Sequence, residues 1–327
     1  MLALTCIGGL SRESRPSPGQ RDTRRRPPPP ETAVKRGAVR RNLTAHAFLL
    51  PFLCVFVIGV VAPLIYSINL SLYQERMVGG MTFAGLDNYT KAFRDNLFHA
   101  GLGRVALFFA IQVPLMLCLS LAAALAIDSG RLRAPGLFRI GIFVPYAVPG
   151  VVAALMWGYL YGDRFGLVGE IGALLHTEVP DLLSKNWMLA SIGNIVTWSY
   201  VGYNMLIFYA ALRSIPEELY EAAEVDGAGA IRKAFSIKLP ALRPALLMAT
   251  TFSVIGSFQL FNEPSVLQNL APSAVSTNYT PNMYAYNLAF EGRQFNYSAA
   301  VAVLLGLVTV IVAYAVQRAT ARRERML

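Results

Sequence analysis

The sequence predicts an all-α membrane protein with six transmembrane helices and one charged helical loop on the cytosolic side, between helices four and five. Three observations predict it. Of 327 residues, 55% are hydrophobic and only 15% are charged, and mean hydropathy is +0.46. The apolar residues cluster into windows of about 20 residues almost free of charge, the length that crosses a hydrocarbon core. Lys and Arg gather in alternate loops, as the positive-inside bias requires. A single such window could be a buried core helix, but half a dozen together fit that reading poorly.

The elements follow in order. Residues 1–42 are polar and irregular around "RDTRRRPPPP". Tetraproline cannot be helical and the arginines repel one another, which predicts a disordered basic cytosolic tail. The opening "MLALTCIGGL" is short and lacks the basic flank of a signal peptide. A transmembrane domain is expected over 43–320. Its spans are His46–Leu70, Leu102–Ile127, Leu137–Leu160, Trp187–Leu212, Pro244–Phe261 and Ser298–Val316, with a short tail at 321–327. Pro145 and Pro149 fall inside the third span, where neighbouring helices can re-satisfy the freed backbone groups.

Orientation comes from charge. Arg24, Arg25, Arg26, Lys35, Arg36, Arg40 and Arg41 precede span one, and Arg131, Arg133 and Arg139 lie between two and three. Arg213, Arg232, Lys233, Lys238 and Arg243 lie between four and five, and Arg318, Arg322, Arg323 and Arg325 end the chain. The opposite loops hold only Arg76, Lys91, Arg94, Arg164, Lys185, Arg293 and, at a border, Arg104. Both termini and the loop 213–243 are therefore expected in the cytoplasm. The net charge of +10 reads as these topology determinants, and no nucleic-acid partner is expected. Cys6, Cys54 and Cys118 are isolated, with no metal or disulfide spacing.

The cytosolic loop opens "SIPEELYEAAEVDGAG". Ser214 followed by Glu217 fits a capping box, with Pro216 in the first turn. Glu217, Glu218 and Glu221 favour the positive end of a helix dipole, and Gly227 and Gly229 stop the helix. A short basic helix, "AIRKAFSIK", follows and is expected to end at Leu239–Pro240. Ala222, Ala223, Gly227 and Ala228 form a small-residue face that would let another surface approach closely, which a merely solvated loop does not need.

"EAAEVDGA" followed by "IKLP" resembles the EAA motif of the membrane subunits of bacterial binding-protein-dependent ABC importers. The resemblance implies a coupling helix that sits in a cleft of a cytosolic ATPase. Glu221, Ala222, Ala223, Asp226 and Gly227 would form the docking helix, and Leu239 and Pro240 its exit. The family usually has an aromatic where Ala234 stands; Phe235 follows one position later. The similarity spans about residues 45–320. "GLDNYTKAF", "VPYAVPGVVAALMW" and "FQLFNEPSVL" look like the carbohydrate-uptake branch, and within it the first of two paired permeases of the maltose/trehalose type. The branch's Gly-Gly-Pro segment is replaced by "NLAPSAVSTNYTPNMYAYNLAF". The resemblance implies a multi-pass protein of the bacterial inner membrane. It would pair with a second permease as a heterodimer, on two cytosolic ATP-binding subunits that hold ATP and Mg, and receive a carbohydrate from an extracytoplasmic solute-binding protein. No cofactor would be bound by this chain.

A sugar path needs aromatic faces and hydrogen-bonding groups on pore-lining helices. In span four, Thr197, Tyr200, Tyr203 and Asn204 recur on one helical face. At the end of span five, Ser257, Phe261 and Pro264 are expected to share a face, with Gln259, Asn262 and Glu263 beside them. Maltose-importer relatives bind sugar at these two regions. Helix–helix packing is the plain alternative for each residue.

Other classes fare worse. The chain has no GxxxxGK[ST] phosphate loop, no HExxH and no GxSxG, and His46, His99 and His176 are scattered, so an enzyme is not expected. A stand-alone channel or secondary transporter would need an intramembrane charge or an inverted repeat. A permease of the same family for a glycerol phosphate would want Lys or Arg near the path. Spans four and five have none at mid-depth, which favours a neutral sugar.

Overall fold

The computed structural model describes residues 48–76, 79–130, 132–162, 166–177 and 179–325. The tail expected at 1–42 and the start of the first span at His46 lie outside them. The chain divides into two compact units, one ending at Ala62 and one beginning at Pro63. Helix α1, Phe48–Ser71, is strongly apolar and carries no charged residue. In the first unit it carries a π-turn at Val57–Val61 and a stacked Phe52–Phe56 pair.

The second unit opens with a departure from the all-α expectation. Strands β1, Tyr73–Arg76, and β2, Gly80–Phe83, pair antiparallel with Tyr73 opposite Phe83. Gly79 and Gly80 have φ of +107° and +67°, which only glycine adopts without strain, and the two aromatic rings meet edge-on at 5.5 Å. Helix α2, Asp87–Arg94, is tied to this ribbon by buried Asn88. Its amide donates to the Ser71 and Tyr73 carbonyls, each at 2.8 Å.

Helix α3, Asn96–Asp128, starts six residues before the predicted span because Asp95 caps it, accepting from the Leu97 amide at 2.9 Å. The expected third span is two helices, α4 at Pro135–Ala147 and α5 at Gly150–Leu160, bent by 98°. The break is local chemistry. Pro149 removes an amide donor and pushes Val148 to an extended ψ of 126°. Helices α6, Leu167–Leu175, and α7, Met188–Leu212, follow. The loop helix α8, Glu217–Val225, leads to α9, Ala230–Ala241, and α10, Arg243–Phe258, which meet at 62°. Then come α11, Asn262–Leu270, α12, Pro281–Phe290, and α13, Phe295–Arg325. Among the described residues four helices, α1, α3, α7 and α13, are long and apolar enough to cross a membrane. There are up to six spans if each bent pair counts as one.

Four local expectations are corrected. The capping box does not form, because Pro216 is the N-cap of α8 and the Ser214 hydroxyl donates back to the Ala211 carbonyl at 2.7 Å. Pro240 does not end the basic helix. It sits at the start of a helical turn, where a missing amide is tolerated, and the bend falls at Leu242. The fifth span ends at Phe258, and Phe261 lies in a turn, so Ser257, Phe261 and Pro264 do not share one helical face. The helix of the sixth span, α13, runs beyond the expected end at Val316 as far as Arg325.

The core lies between α3 and α7. Val113, Met116 and Ala124 of α3 pack against Met205, Phe208 and Leu212 of α7. The buried Ser120 hydroxyl lies 2.7 Å from the Met116 carbonyl and 2.9 Å from that of Val201, bridging the two helices. Gly202 brings α7 against the backbone of α4, since a Cβ there would stand 2.0 Å from the Ile142 carbonyl oxygen.

At the other end of α3, Asp95 gathers three more elements. The Tyr284 hydroxyl of α12 and the Tyr297 hydroxyl of α13 both donate to its Oδ2, at 2.5 and 2.6 Å, and the Lys91 ammonium of α2 lies 3.9 Å from the Tyr297 ring. Burial alone would raise the Asp95 carboxyl. The hydrogen bonds from Tyr284, Tyr297 and the Leu97 amide outweigh it and hold the group below the ordinary aspartate value of 3.8. Burial, with the help of Asp95, pushes the Tyr284 hydroxyl up to about 12. A depressed carboxylate stabilises the folded chain above its unfolded pKa and loses that contribution as pH falls through its folded pKa. Asp95→Asn is therefore expected to cost about 1–2 kcal/mol at neutral pH. In thermal melts of the detergent-purified protein, the gap between wild type and variant should begin to narrow below about pH 4 and close as pH falls through the depressed folded pKa. A gap that persists in acid would show that the charge is not what holds these elements.

Candidate functional site

A cavity of about 280 Å³ lies between α3, α7, α10 and the start of α11. Helix α3 contributes Phe108, Gln112 and Met116, and α7 contributes Val196, Tyr200, Tyr203 and Asn204. Phe252, Ser253, Gly256 and Ser257 of α10 form another wall. The turn after α10 brings in Gln259, Leu260 and Phe261, and the first residues of α11 add Asn262 and Glu263.

Local structure sets each side chain. Tyr200, Tyr203 and Asn204 lie three and four residues apart on α7 and so share a face. Asn204 is buried, and its amide donates to the Tyr200 carbonyl at 3.1 Å. Tyr146, in the last turn of α4, stacks on the Tyr203 ring at 4.9 Å and meets Tyr200 edge-on at 5.8 Å. The break after α4 thus braces both tyrosines from behind. The Gln112 amide donates to the Thr197 hydroxyl at 3.3 Å. The Ser257 hydroxyl donates to the Ser253 carbonyl at 2.8 Å, which leaves its oxygen free to accept.

Glu263 is half-buried in the second turn-forming position of α11. Its Oε1 lies 3.4 Å from the point a Cβ on Gly150 would occupy, beside the N-terminus of α5, where a helix dipole favours an anion. Burial raises the Glu263 carboxyl above the ordinary glutamate value.

Of the residues named from sequence, Tyr200, Tyr203, Asn204, Ser257, Gln259, Phe261, Asn262 and Glu263 all line this one cavity. Thr197 does not; it stands behind the wall as the acceptor for Gln112. Sequence reasoning missed the whole α3 wall. Gln112 carried a signal, as an amide within an otherwise apolar run, where polar residues face the bundle interior. Ring faces, amides and hydroxyls in one concave space can stack on and hydrogen-bond a hydroxyl-rich solute.

The second feature is the loop from α8 to α10. Gly227, at φ +73°, closes α8 with open space around its Cβ position. The Lys233 ammonium pairs with Glu224 across the turn, and the Lys238 ammonium pairs with Asp128 at the end of α3 while lying 5.5 Å from the Tyr220 ring. Glu221, Ala222, Asp226 and Gly227 are exposed, and Ala223, Leu239 and Pro240 are half-buried. The small face expected there is flanked by large apolar side chains, of which the sequence singles out only Phe235, as the displaced aromatic. Val225 is 89% exposed, Ile231 77% and Phe235 68%, on a loop otherwise dominated by charge. They carry no period-3.6 signal because they sit on two short helices separated by the break at residues 226–229.

A bundle of apolar helices around a polar, aromatic-walled cavity, with a helical loop anchored to one end, defines a membrane translocation protein. The chain belongs to the family of binding-protein-dependent transport system inner membrane components, the membrane permease subunits of ABC importers, which matches it over residues 116–326. The diacetylchitobiose uptake system permease protein NgcF of Streptomyces coelicolor is 32% identical to it, over 87% of this chain and 86% of that protein. The lactose transport system permease protein LacF of Rhizobium radiobacter is 30% identical, over 86% of this chain and 96% of that protein. Among solved structures, a chain of a bacterial ABC transporter for alginate import superposes with a TM-score of 0.76 at 19% identity. The match covers 88% of this chain and 98% of that one, and it establishes the fold. The resemblance read from the EAA-like segment is thereby confirmed at the level of family.

Proposed function

We propose that this chain forms half of the path of a sugar importer and transmits the work of a cytosolic ATPase through the loop 213–243. Six spans cross the inner membrane within 43–320, counting α4–α5 and α9–α10 as one each, and both termini lie in the cytoplasm. A second permease completes a heterodimer. Two ATP-binding subunits, which hold ATP and Mg, dock beneath it, and an extracytoplasmic binding protein delivers the carbohydrate. Glu221, Ala222, Ala223, Asp226 and Gly227 form the docking helix, and Leu239 and Pro240 its exit.

The observation that carries the reading is the outward display of Val225, Ile231 and Phe235 on this charged loop. Such side chains gain by burial against a partner and serve nothing in water. Closure of the ATPases would draw α8 inward, and the Lys238–Asp128 pair would pass that motion to α3, whose Gln112 lines the cavity. For the substrate, the cavity's mix of rings, amides and hydroxyls and the sugar systems named for the relatives favour a carbohydrate. A glycerol phosphate is disfavoured, because no Lys or Arg lines the cavity and Glu263 does.

The test is capture. The chain is expressed in membranes with its neighbouring importer genes and pulled out through a tag. An ATP-binding subunit is expected to come with it. An inserted, intact chain that brings no ATPase would overturn the docking role and return a stand-alone transporter to the front.

A further inference from the structure

The cavity has one charged wall group. Glu263 is the single acidic or basic side chain lining it, and among the described residues it has no ion-pair partner. The remaining walls are neutral. A carboxylate placed here faces a confined space bounded by Phe108, Phe252 and Phe261, where screening by water is reduced and a like charge is disfavoured more than in bulk solvent. Gly150 lies next to this carboxylate. A Cβ there would stand 3.4 Å from Glu263 Oε1, an ordinary contact, so the carboxylate lies against the first turn of α5, on the side of the helix that favours its negative form.

We propose that Glu263 is a specificity-determining charge filter, which reserves this half of the path for uncharged saccharides by repelling carboxylated, sulfonated and phosphorylated ones. This rests on the reading of the cavity as the path. Discrimination built from a repulsive element needs no added contact to the accepted solute. It also accounts for a charged group in a site whose other polar members are amides and hydroxyls. Capping of α5 alone would use the same carboxylate without any effect on what enters the cavity.

The experiment measures charge in the cavity directly, with probes that do not depend on knowing the sugar. Cys6, Cys54 and Cys118 are replaced by alanine, and Gly256→Cys is introduced, because a Cβ at Gly256 meets nothing within 4 Å and the residue lines the cavity. The assembled importer in membrane vesicles, at about pH 8 to keep carboxylates ionised, is treated with a cationic (trimethylammonioethyl) or an anionic (sulfonatoethyl) methanethiosulfonate, with and without ATP. The cationic reagent is expected to react faster. Glu263→Gln, which keeps the side-chain shape, should lower the cation-to-anion rate ratio by about tenfold, while Glu263→Asp should largely retain it. An unchanged ratio in Glu263→Gln overturns the filter and leaves the path standing. If the cysteine reacts with neither reagent in any nucleotide state, the cavity is not on a water-accessible path and both readings fall together.

Discussion

Gly227→Val is expected to abolish ATP-driven uptake and to leave the amount of chain in the membrane within about twofold of wild type. The expectation follows from where the residue sits. At φ +73° a β-branched side chain is strained by roughly 1–2 kcal/mol or more, even though the space around the Cβ is open. The turn therefore relaxes toward negative φ, α8 loses its stop, and the angle between α8 and α9 changes. The Lys233–Glu224 pair that spans the turn goes with it. None of this reaches the α3–α7 core, whose buried residues lie elsewhere, so folding and insertion are spared. Under the docking role proposed above, docking is not spared, because Val225 and Ile231 lie on opposite sides of the turn and would meet one partner surface together. Capture of the ATP-binding subunit should fall by an order of magnitude or more. Gly227→Asn is the control, since asparagine adopts positive φ at small cost and should keep most of the binding. Equal capture by the wild type and the valine variant would remove the turn from the docking surface.

What could be read from sequence was set by length and chemistry. Helices α3, α7 and α13 lie where the apolar windows put them, because about 20 uncharged residues in succession have few other solutions. Boundaries moved where one residue decided them. Asp95 caps α3 early through its side chain, and the pair Val148–Pro149 splits a continuous apolar window that hydropathy cannot divide. The ribbon of Tyr73–Arg76 and Gly80–Phe83 is too short for a periodic signal and depends on the pairing of Tyr73 with Phe83. The cavity was half legible. Polar and aromatic residues on α7 announce themselves by spacing. The α3 wall depends on which way a 33-residue helix is rotated, and only the lone amide of Gln112 hinted at it. The bracing of Tyr200 and Tyr203 by Tyr146 depends on the break after α4 and so was not available from either segment alone.

Gly202 carries the second large effect, of the opposite kind: here the backbone conformation is ordinary and the space is missing. A Cβ at this position would stand 2.0 Å from the Ile142 carbonyl oxygen and 2.7 Å from both the Ile142 carbonyl carbon and the Phe143 Cα. These are backbone atoms of α4, which cannot rotate aside as a side chain would. Gly202→Ala must push α4 and α7 apart, at a cost of about 3 kcal/mol, a large share of the ~5–15 kcal/mol that holds a folded domain. The displacement acts beside Tyr203, so the Tyr146–Tyr203 stack opens and the cavity wall moves with it. Gly202→Ala is expected to melt about 5–10 °C below wild type in detergent and to lose uptake even at temperatures where it stays folded. Gly256→Ala supplies the comparison, at a glycine of α10 that lines the cavity. Its Cβ meets nothing, and alanine in a helix interior is more stable than glycine by about 0.5–1 kcal/mol, so this variant should melt at or above the wild-type temperature. The two alanines thus separate close approach from glycine content. If Gly202→Ala melts like wild type, α4 and α7 do not meet at this contact, and the bracing of the tyrosines by Tyr146 loses its basis.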